Sequence, residues 1–182
     1  MRILVTGGVR SGKSSHAEAL VAEHGGVTYV APGRPADGTD PDWDARVRAH
    51  RARRPEGWAT VELRAGATGE LGDLADVVRT AGGPVLVDCL GTWLTALLDD
   101  GWLWERPAEE AYAAVEAALD RLTDALAEAP EVVLVTNEVG LGVVPDHRSG
   151  RLFRDLLGTV NQRVAAVCDE VHLVVAGRVL RL

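Results

Sequence analysis

Residues Gly7-Gly8-Val9-Arg10-Ser11-Gly12-Lys13-Ser14 form a complete phosphate-binding loop signature, and their flanks dictate how the chain must run around them. Arg2-Ile3-Leu4-Val5-Thr6 is a β-branched apolar run that reads as a buried parallel strand, and Ser14–Val21 continues as a helix. In that order, successive backbone N–H groups curl around an anion and the helix N-terminus adds its partial positive charge. Lys13 is the only lysine in a chain whose other basic residues are all arginine. A compact ammonium suits a position between phosphates, and the Ser14 hydroxyl stands where it can ligate magnesium. A glycine-rich turn before an ordinary helix is the plain alternative, but the full pattern with its flanks is far more specific than a lone glycine motif.

At 182 residues the chain can bury one substantial core, so a single domain over 1–182 is expected. No unbroken apolar stretch reaches the roughly 18 residues of a membrane span. The first strand starts at the N-terminus, which leaves no room for a leader, and Cys89 and Cys168 lack metal-ligand spacing; a cytoplasmic protein is the expectation. A net charge of −8 argues against a nucleic-acid-binding surface over the whole molecule. Val27–Val30, Pro84–Asp88, Val132–Thr136 and Val171–Val175 are apolar without alternation, as strands covered on both faces are. Helical patterns lie between them, the clearest over Ala108–Ala127 and another from about Ser149 to Val167. Arg178–Leu182 after Ala176-Gly177 reads as an antiparallel edge strand closing a tight hairpin. The expected fold is α/β and P-loop NTPase-like: a mostly parallel sheet, helices on both faces, and that C-terminal edge hairpin.

Two further features carry chemistry. Asp88 ends the run Val85-Leu86-Val87, so its carboxylate emerges at the phosphate-loop edge of the sheet and is expected to hold magnesium together with Ser14; a helix N-cap before Leu90–Leu98 is the alternative. Five of the nine residues from 46 to 54 are arginine, surrounding His50 and stopped by Pro55. In a helix Arg46, Arg53 and Arg54 share the imidazole's face, where neighbouring cations disfavour imidazolium and guanidinium groups fork onto phosphate oxygens. A neutral imidazole there suits attack on a nucleotide phosphate. The same composition also describes a solvated basic face with an incidental histidine.

Five blocks resemble one family over nearly the whole chain. They are Thr6–Ser14; Arg46, His50, Arg54-Pro55, Trp58, Thr60 and Glu62; Val87-Asp88-Cys89-Leu90 with Trp93-Leu94-Thr95; Thr136-Asn137-Glu138-Val139-Gly140 with Gly142-Val143-Val144-Pro145; and Asn161-Gln162-Arg163. The family is the bifunctional adenosylcobinamide kinase/adenosylcobinamide-phosphate guanylyltransferase of cobalamin biosynthesis. The resemblance implies phosphorylation of adenosylcobinamide from a nucleoside triphosphate, ATP or GTP, followed by GMP transfer from GTP to give adenosylcobinamide-GDP. It implies that His50 carries GMP covalently and that Lys13 serves the phosphates. It implies nucleotide contacts from Gly7, Gly8, Val9, Arg10, Ser11, Gly12, Lys13 and Ser14, from Ala31, Pro32 and Gly33, from Arg51, Ala52, Arg53 and Arg54, and from Glu62 and Asp88. It further implies a magnesium requirement and a homotrimer with sites between subunits.

A monofunctional small-molecule kinase with His50 as a bystander is the alternative reading. A GTP switch that reads guanine through an Asn/Thr-Lys-x-Asp motif is excluded, because the sole lysine is already spent in the phosphate loop. Trp102 and Trp104 suit the domain's own core, a subunit interface or a bulky corrin.

Overall fold

The computed structural model describes residues 1–64 and 69–182. Among the described residues seven strands and six helices follow one another: β1 (Arg2–Thr6), α1 (Lys13–Val21), β2 (Thr28–Ala31), α2 (Pro41–Ala52), β3 (Ala59–Glu62), α3 (Leu74–Thr80), β4 (Val85–Asp88), α4 (Leu90–Asp100), α5 (Ala108–Glu128), β5 (Val132–Val135), α6 (Arg148–Ala165), β6 (Glu170–Val175) and β7 (Arg178–Arg181). The strands form one sheet in the order β3-β2-β4-β5-β1-β6-β7, parallel throughout except for the β6–β7 pair.

The apolar runs explain why both faces are covered. Along β1, Leu4 joins one hydrophobic cluster, whereas Ile3 and Val5 join the other; Val85 and Val87 part from Leu86 in the same way, and Val132 and Leu134 from Val133 and Val135. The larger cluster takes α3, α4, α5 and α6 through Leu74, Leu94, Leu119 and Leu156, and the smaller takes α1 through Ala17 and Val21. The long helix α5 supplies Val115, Leu119, Leu122 and Leu126 at helical spacing, all buried.

β7 is fully exposed and closes the sheet through a two-residue turn in which Ala176 and Gly177 both take positive φ (50° and 75°), the turn the dipeptide predicted. Gly177 N then donates to Ser11 O at 2.8 Å, so the hairpin leans on the phosphate loop. On the same side His16 Nε2 meets His172 Nδ1 at 2.9 Å and His172 Nε2 meets Glu170 Oε2 at 2.8 Å, which ties α1 to β6 through a fully buried imidazole.

The sequence expectations named neither β3 nor α3. β3 is a four-residue edge strand with no buried residue, and α3 spans only seven, too short for a periodic pattern to stand out. Leu134 is fully buried at the centre of the sheet, so Leu134→Ala should lower the unfolding free energy by about 3 kcal/mol with an unchanged urea m-value. A loss under about 1 kcal/mol would contradict this core assignment.

Candidate nucleotide site

β5 lies between the strand that feeds the phosphate loop and the strand that ends in Asp88, with Val135 level with Val5 on one side and Asp88 on the other. The C-terminal ends of these three strands therefore open onto one crevice, where ligands of open α/β sheets bind.

The phosphate loop has the backbone that its glycines allow. Gly7 at φ 157° passes so close to β6 that an added Cβ would stand 2.4 Å from Val174 O, and Gly12 caps α1 in the left-handed region at φ 97°. Arg10 takes φ 56°, uncommon for a residue with a Cβ. Lys13 is buried to 7% exposure and its Nζ donates to Gly8 O at 3.1 Å, so the ammonium lies over the loop. Burial holds it below its ordinary pKa while Cys89 and Asp88 pull the other way. Inside the loop the Ser11 hydroxyl is buried and makes no hydrogen bond among the described residues.

Helix α2 brings His50 over the crevice. Asp40 caps it by accepting from Asp42 N and Trp43 N, Pro41 occupies its first turn, and buried Asp44 accepts from Gly38 N at 2.9 Å. Only Asp44 of this helix is buried, so polar contacts at its C-terminal end hold it in place. His50 Nδ1 lies 3.4 Å from Asp88 Oδ2 and 3.3 Å from Arg53 Nη2. Arg53 in turn is gripped by both carboxylate oxygens of Glu18 on α1, at 3.0 and 3.2 Å. Nε2 of His50 makes no hydrogen bond among the described residues and is the nitrogen left for chemistry.

This differs from the sequence expectation in two ways. The helix ends at Ala52 with Arg53 as its C-cap, so Arg54 does not share the His50 face. It turns instead to Thr60 Oγ1 (3.1 Å) and stacks its guanidinium 3.7 Å above the Tyr29 ring. A carboxylate also faces the imidazole, which the arginine-rich sequence gave no reason to expect. Asp88 is free for this because Cys89 caps α4 in its place, its N–H donating to Thr92 Oγ1 at 3.3 Å.

The Asp88 side chain is 7% exposed. Burial alone pushes its carboxyl up, yet His50, Ser14 and Tyr29, whose hydroxyl donates at 3.1 Å, together hold it below the ordinary value. Burial and the same charge push the Tyr29 phenol up, and burial raises the Cys89 thiol, which is thereby unsuited to act as a nucleophile.

Two clefts flank His50 and share Lys13, Arg46 and the imidazole. One lies between the phosphate loop and α2, and Arg10, Ser11, Gly12, Ser14 and Arg53 line it. The other, a cavity of about 160 Å³, reaches Ala31, Gly33, Arg51, Arg54, Glu62 and Asp88. Within it Arg51 is hydrogen-bonded to Glu62. Of the expected site residues, Gly7, Gly8 and Val9 shape the loop without lining either cleft, Pro32 is buried beside Gly33, and Ala52 faces solvent.

Tyr29, Glu18, Thr92 and Asn137 belong to the site without having been singled out for it from the sequence. The available signal was Tyr29 itself, a phenol inside a buried parallel strand that needed a partner at the strand's end. Arg148, Arg151 and Arg154 donate to backbone carbonyls of Trp104 and Arg106, of Pro145 and Asp146, and of Gly140. Glu138 accepts from Gly140 N at 2.9 Å.

Because the Asp88 carboxyl is held low in the folded state, its stabilisation is present above about pH 4, the unfolded value, and is lost as the pH falls through the folded one. Asp88→Asn should therefore flatten the acid side of the stability profile in urea titrations below pH 4; an acid limb as steep as the parent's would contradict the assignment.

Comparison with known proteins identifies the family. Residues 3–182 match the family model described as cobinamide kinase / cobinamide phosphate guanyltransferase. The chain is 43% identical over 182 residues to the bifunctional adenosylcobalamin biosynthesis protein CobU of Escherichia coli K12 and 42% identical to that of Salmonella typhimurium, in each case over 97% of both chains. It is 40% identical to CobP of Pseudomonas aeruginosa, over 97% of this chain and 94% of that one. Among solved structures, a prototypical ATPase from the type III secretion system of pathogenic bacteria aligns with a TM-score of 0.55 at 16% identity, covering 94% of this chain and 50% of that one. EscN from enteropathogenic E. coli aligns at 0.57 and 13%, covering 96% and 43%. Those two likenesses establish the P-loop ATPase-like fold alone, whereas the full-length matches establish descent: the chain belongs to the cobinamide kinase/cobinamide phosphate guanylyltransferase family and is an enzyme of that bifunctional kind.

Proposed function

We propose that this chain phosphorylates the aminopropanol hydroxyl of adenosylcobinamide from a nucleoside triphosphate and then moves GMP from GTP onto that phosphate through a covalent GMP–His50 intermediate. The observation that carries the reading is the placement of His50 Nδ1, 3.4 Å from Asp88 Oδ2 and 3.3 Å from Arg53 Nη2, which leaves Nε2 as the free nitrogen of an imidazole that lines the crevice together with Lys13. In the first half of guanylyl transfer, the Nε2 lone pair attacks the α-phosphorus of GTP, a P–N bond forms, and the bond to the β-phosphate oxygen breaks with departure of pyrophosphate. Asp88 stabilises the positive charge that develops on the imidazole by accepting from Nδ1–H. In the second half, a phosphate oxygen of adenosylcobinamide phosphate attacks the same phosphorus, the P–N bond breaks, and the imidazole is restored.

The phosphate-loop amides and Lys13 stabilise charge on the departing or transferring phosphates. Ser14 and Asp88 offer a hydroxyl and an ionised carboxylate, hard oxygen donors that suit magnesium. When bound there, the ion neutralises phosphate charge during transfer. Arg51, Arg53 and Arg54 supply further cations, and Glu62 offers a carboxylate to the N–H edge of guanine once Arg51 releases it. ATP and GTP both serve as kinase substrates in this reading. A homotrimer is supported by the apolar loop after β5, whose Leu141 and Val143 are 89% and 94% exposed although the loop is clamped on either side, at Gly140 by Arg154 and at Pro145 by Arg151.

His50→Ala should abolish an acid-labile, alkali-stable adduct formed with GTP labelled at the α-phosphate while retaining kinase activity; full guanylyl transfer by this variant would remove the intermediate. Lys13→Ala should depress both activities by about a hundredfold or more, the scale of losing one charge-stabilising donor. A kinase rate equal to the parent's would contradict a shared phosphate loop.

A further inference from the structure

The cavity below His50, at about 160 Å³, has no room for a corrin ring, so the ring must lie elsewhere and send only its arm inward. A second groove of about 650 Å³ adjoins it. The two share Gly33, Arg34, Trp43 and Thr92 as walls. Their partition is one side chain thick, for a Cβ added to Gly33 would stand 3.2 Å from both Trp43 Cζ2 and Thr92 Cβ.

The far wall of this groove is Trp102, which is 81% exposed and takes φ 53°. A left-handed backbone at a bulky aromatic residue is uncommon and is sustained only where the surroundings enforce it. Here they do: Trp102 N donates to Asp99 O and Leu103 N to Leu98 O, which drives Leu103 into the core and turns the indole out over the groove. Its neighbour Trp104 is the one that packs against the core.

Three carboxylates complete the lining, beside the guanidinium groups of Arg34 and Arg64. Asp99 Oδ1 accepts from Trp104 Nε1 at 2.6 Å, Asp100 Oδ1 from Arg64 Nη2 at 3.0 Å, and Asp40 Oδ1 from two backbone N–H groups. Each is thus oriented by one oxygen, and the other makes no hydrogen bond among the described residues. An exposed indole beside oriented carboxylates fits a wide, flat, cationic ring whose rim carries primary carboxamides. Those are the features of a corrinoid.

We propose that this groove holds the corrinoid acceptor. Trp102 lies against the ring, Asp40, Asp99 and Asp100 accept from the peripheral carboxamides, and the aminopropanol arm passes Trp43 to reach the donor cavity. The inference rests on the cobinamide reading of the function above and adds where that substrate sits.

The test is kinetic and by equilibrium dialysis. Trp102→Ala should raise the KM for adenosylcobinamide and the Kd for dicyanocobinamide about tenfold, the scale of one aromatic contact, with Trp102→Phe restoring most of both. The KM for GTP and the rate of covalent labelling by GTP alone should stay at parental values. An unchanged corrinoid Kd overturns the groove alone, as does a variant whose solution mass falls while that Kd holds, since Trp102 would then be a subunit contact. Loss of GTP labelling together with corrinoid binding also overturns it. A parent protein that labels with GTP yet neither binds nor turns over the corrinoid would instead overturn the acceptor named in the proposed function, and the groove with it.

Discussion

A carboxylate placed almost wholly out of water must find partners or give up its charge, and Asp88 finds them on three separate elements. Tyr29 comes from the neighbouring strand, Ser14 from the helix after the phosphate loop, and His50 from α2. Because the charge of Asp88 is stable only while those groups converge, one residue at the end of β4 fixes the relation between the nucleotide-binding loop and the helix that carries the imidazole. Removing any partner leaves the others around a less compensated buried charge, the expensive case for an interior ion.

The same logic runs outward along a chain of alternating charge. Glu18 on α1 holds Arg53, Arg53 touches His50, and His50 touches Asp88. Helix α2 has almost no apolar face of its own, its one buried residue being an aspartate. Its position over the crevice is therefore an electrostatic matter more than a hydrophobic one, and contacts of that kind respond to a polyanionic ligand in a way that a packed core does not. The rigid part is the sheet, whose two-faced apolar strands are enclosed by α1 on one side and α3 to α6 on the other.

What the sequence disclosed follows this division. Strands buried on both faces show as unbroken apolar runs, so β1, β2, β4, β5 and β6 were legible to within a residue or two, and the Ala176-Gly177 turn announced β7. β3 was hidden because an exposed edge strand carries no such run. The loop residues Gly7 to Ser14 were legible because Gly7 and Gly12 answer backbone demands, as the close approach of Gly7 to Val174 illustrates. The surroundings of His50 were only half legible. Five arginines stood out in the sequence, but the helix end that diverts Arg54 to Tyr29, and the pairing of strands that delivers Asp88, depend on contacts far apart in the chain. Trp102 and Trp104 were legible only together, as aromatics suited to the core, an interface or a corrin; that Trp102 is exposed while Trp104 packs inward depends on a positive φ that no residue type there signals.

Guanylyl transfer through His50 requires its free nitrogen to meet the α-phosphate. A crystal structure of the protein with magnesium and a GTP analogue blocked between the α- and β-phosphates measures it directly. Nε2 should lie within about 3.5 Å of the α-phosphorus, opposite the bridging group, with Nδ1 still against Asp88. An imidazole turned away from the nucleotide, with another side chain occupying the in-line position, would contradict it.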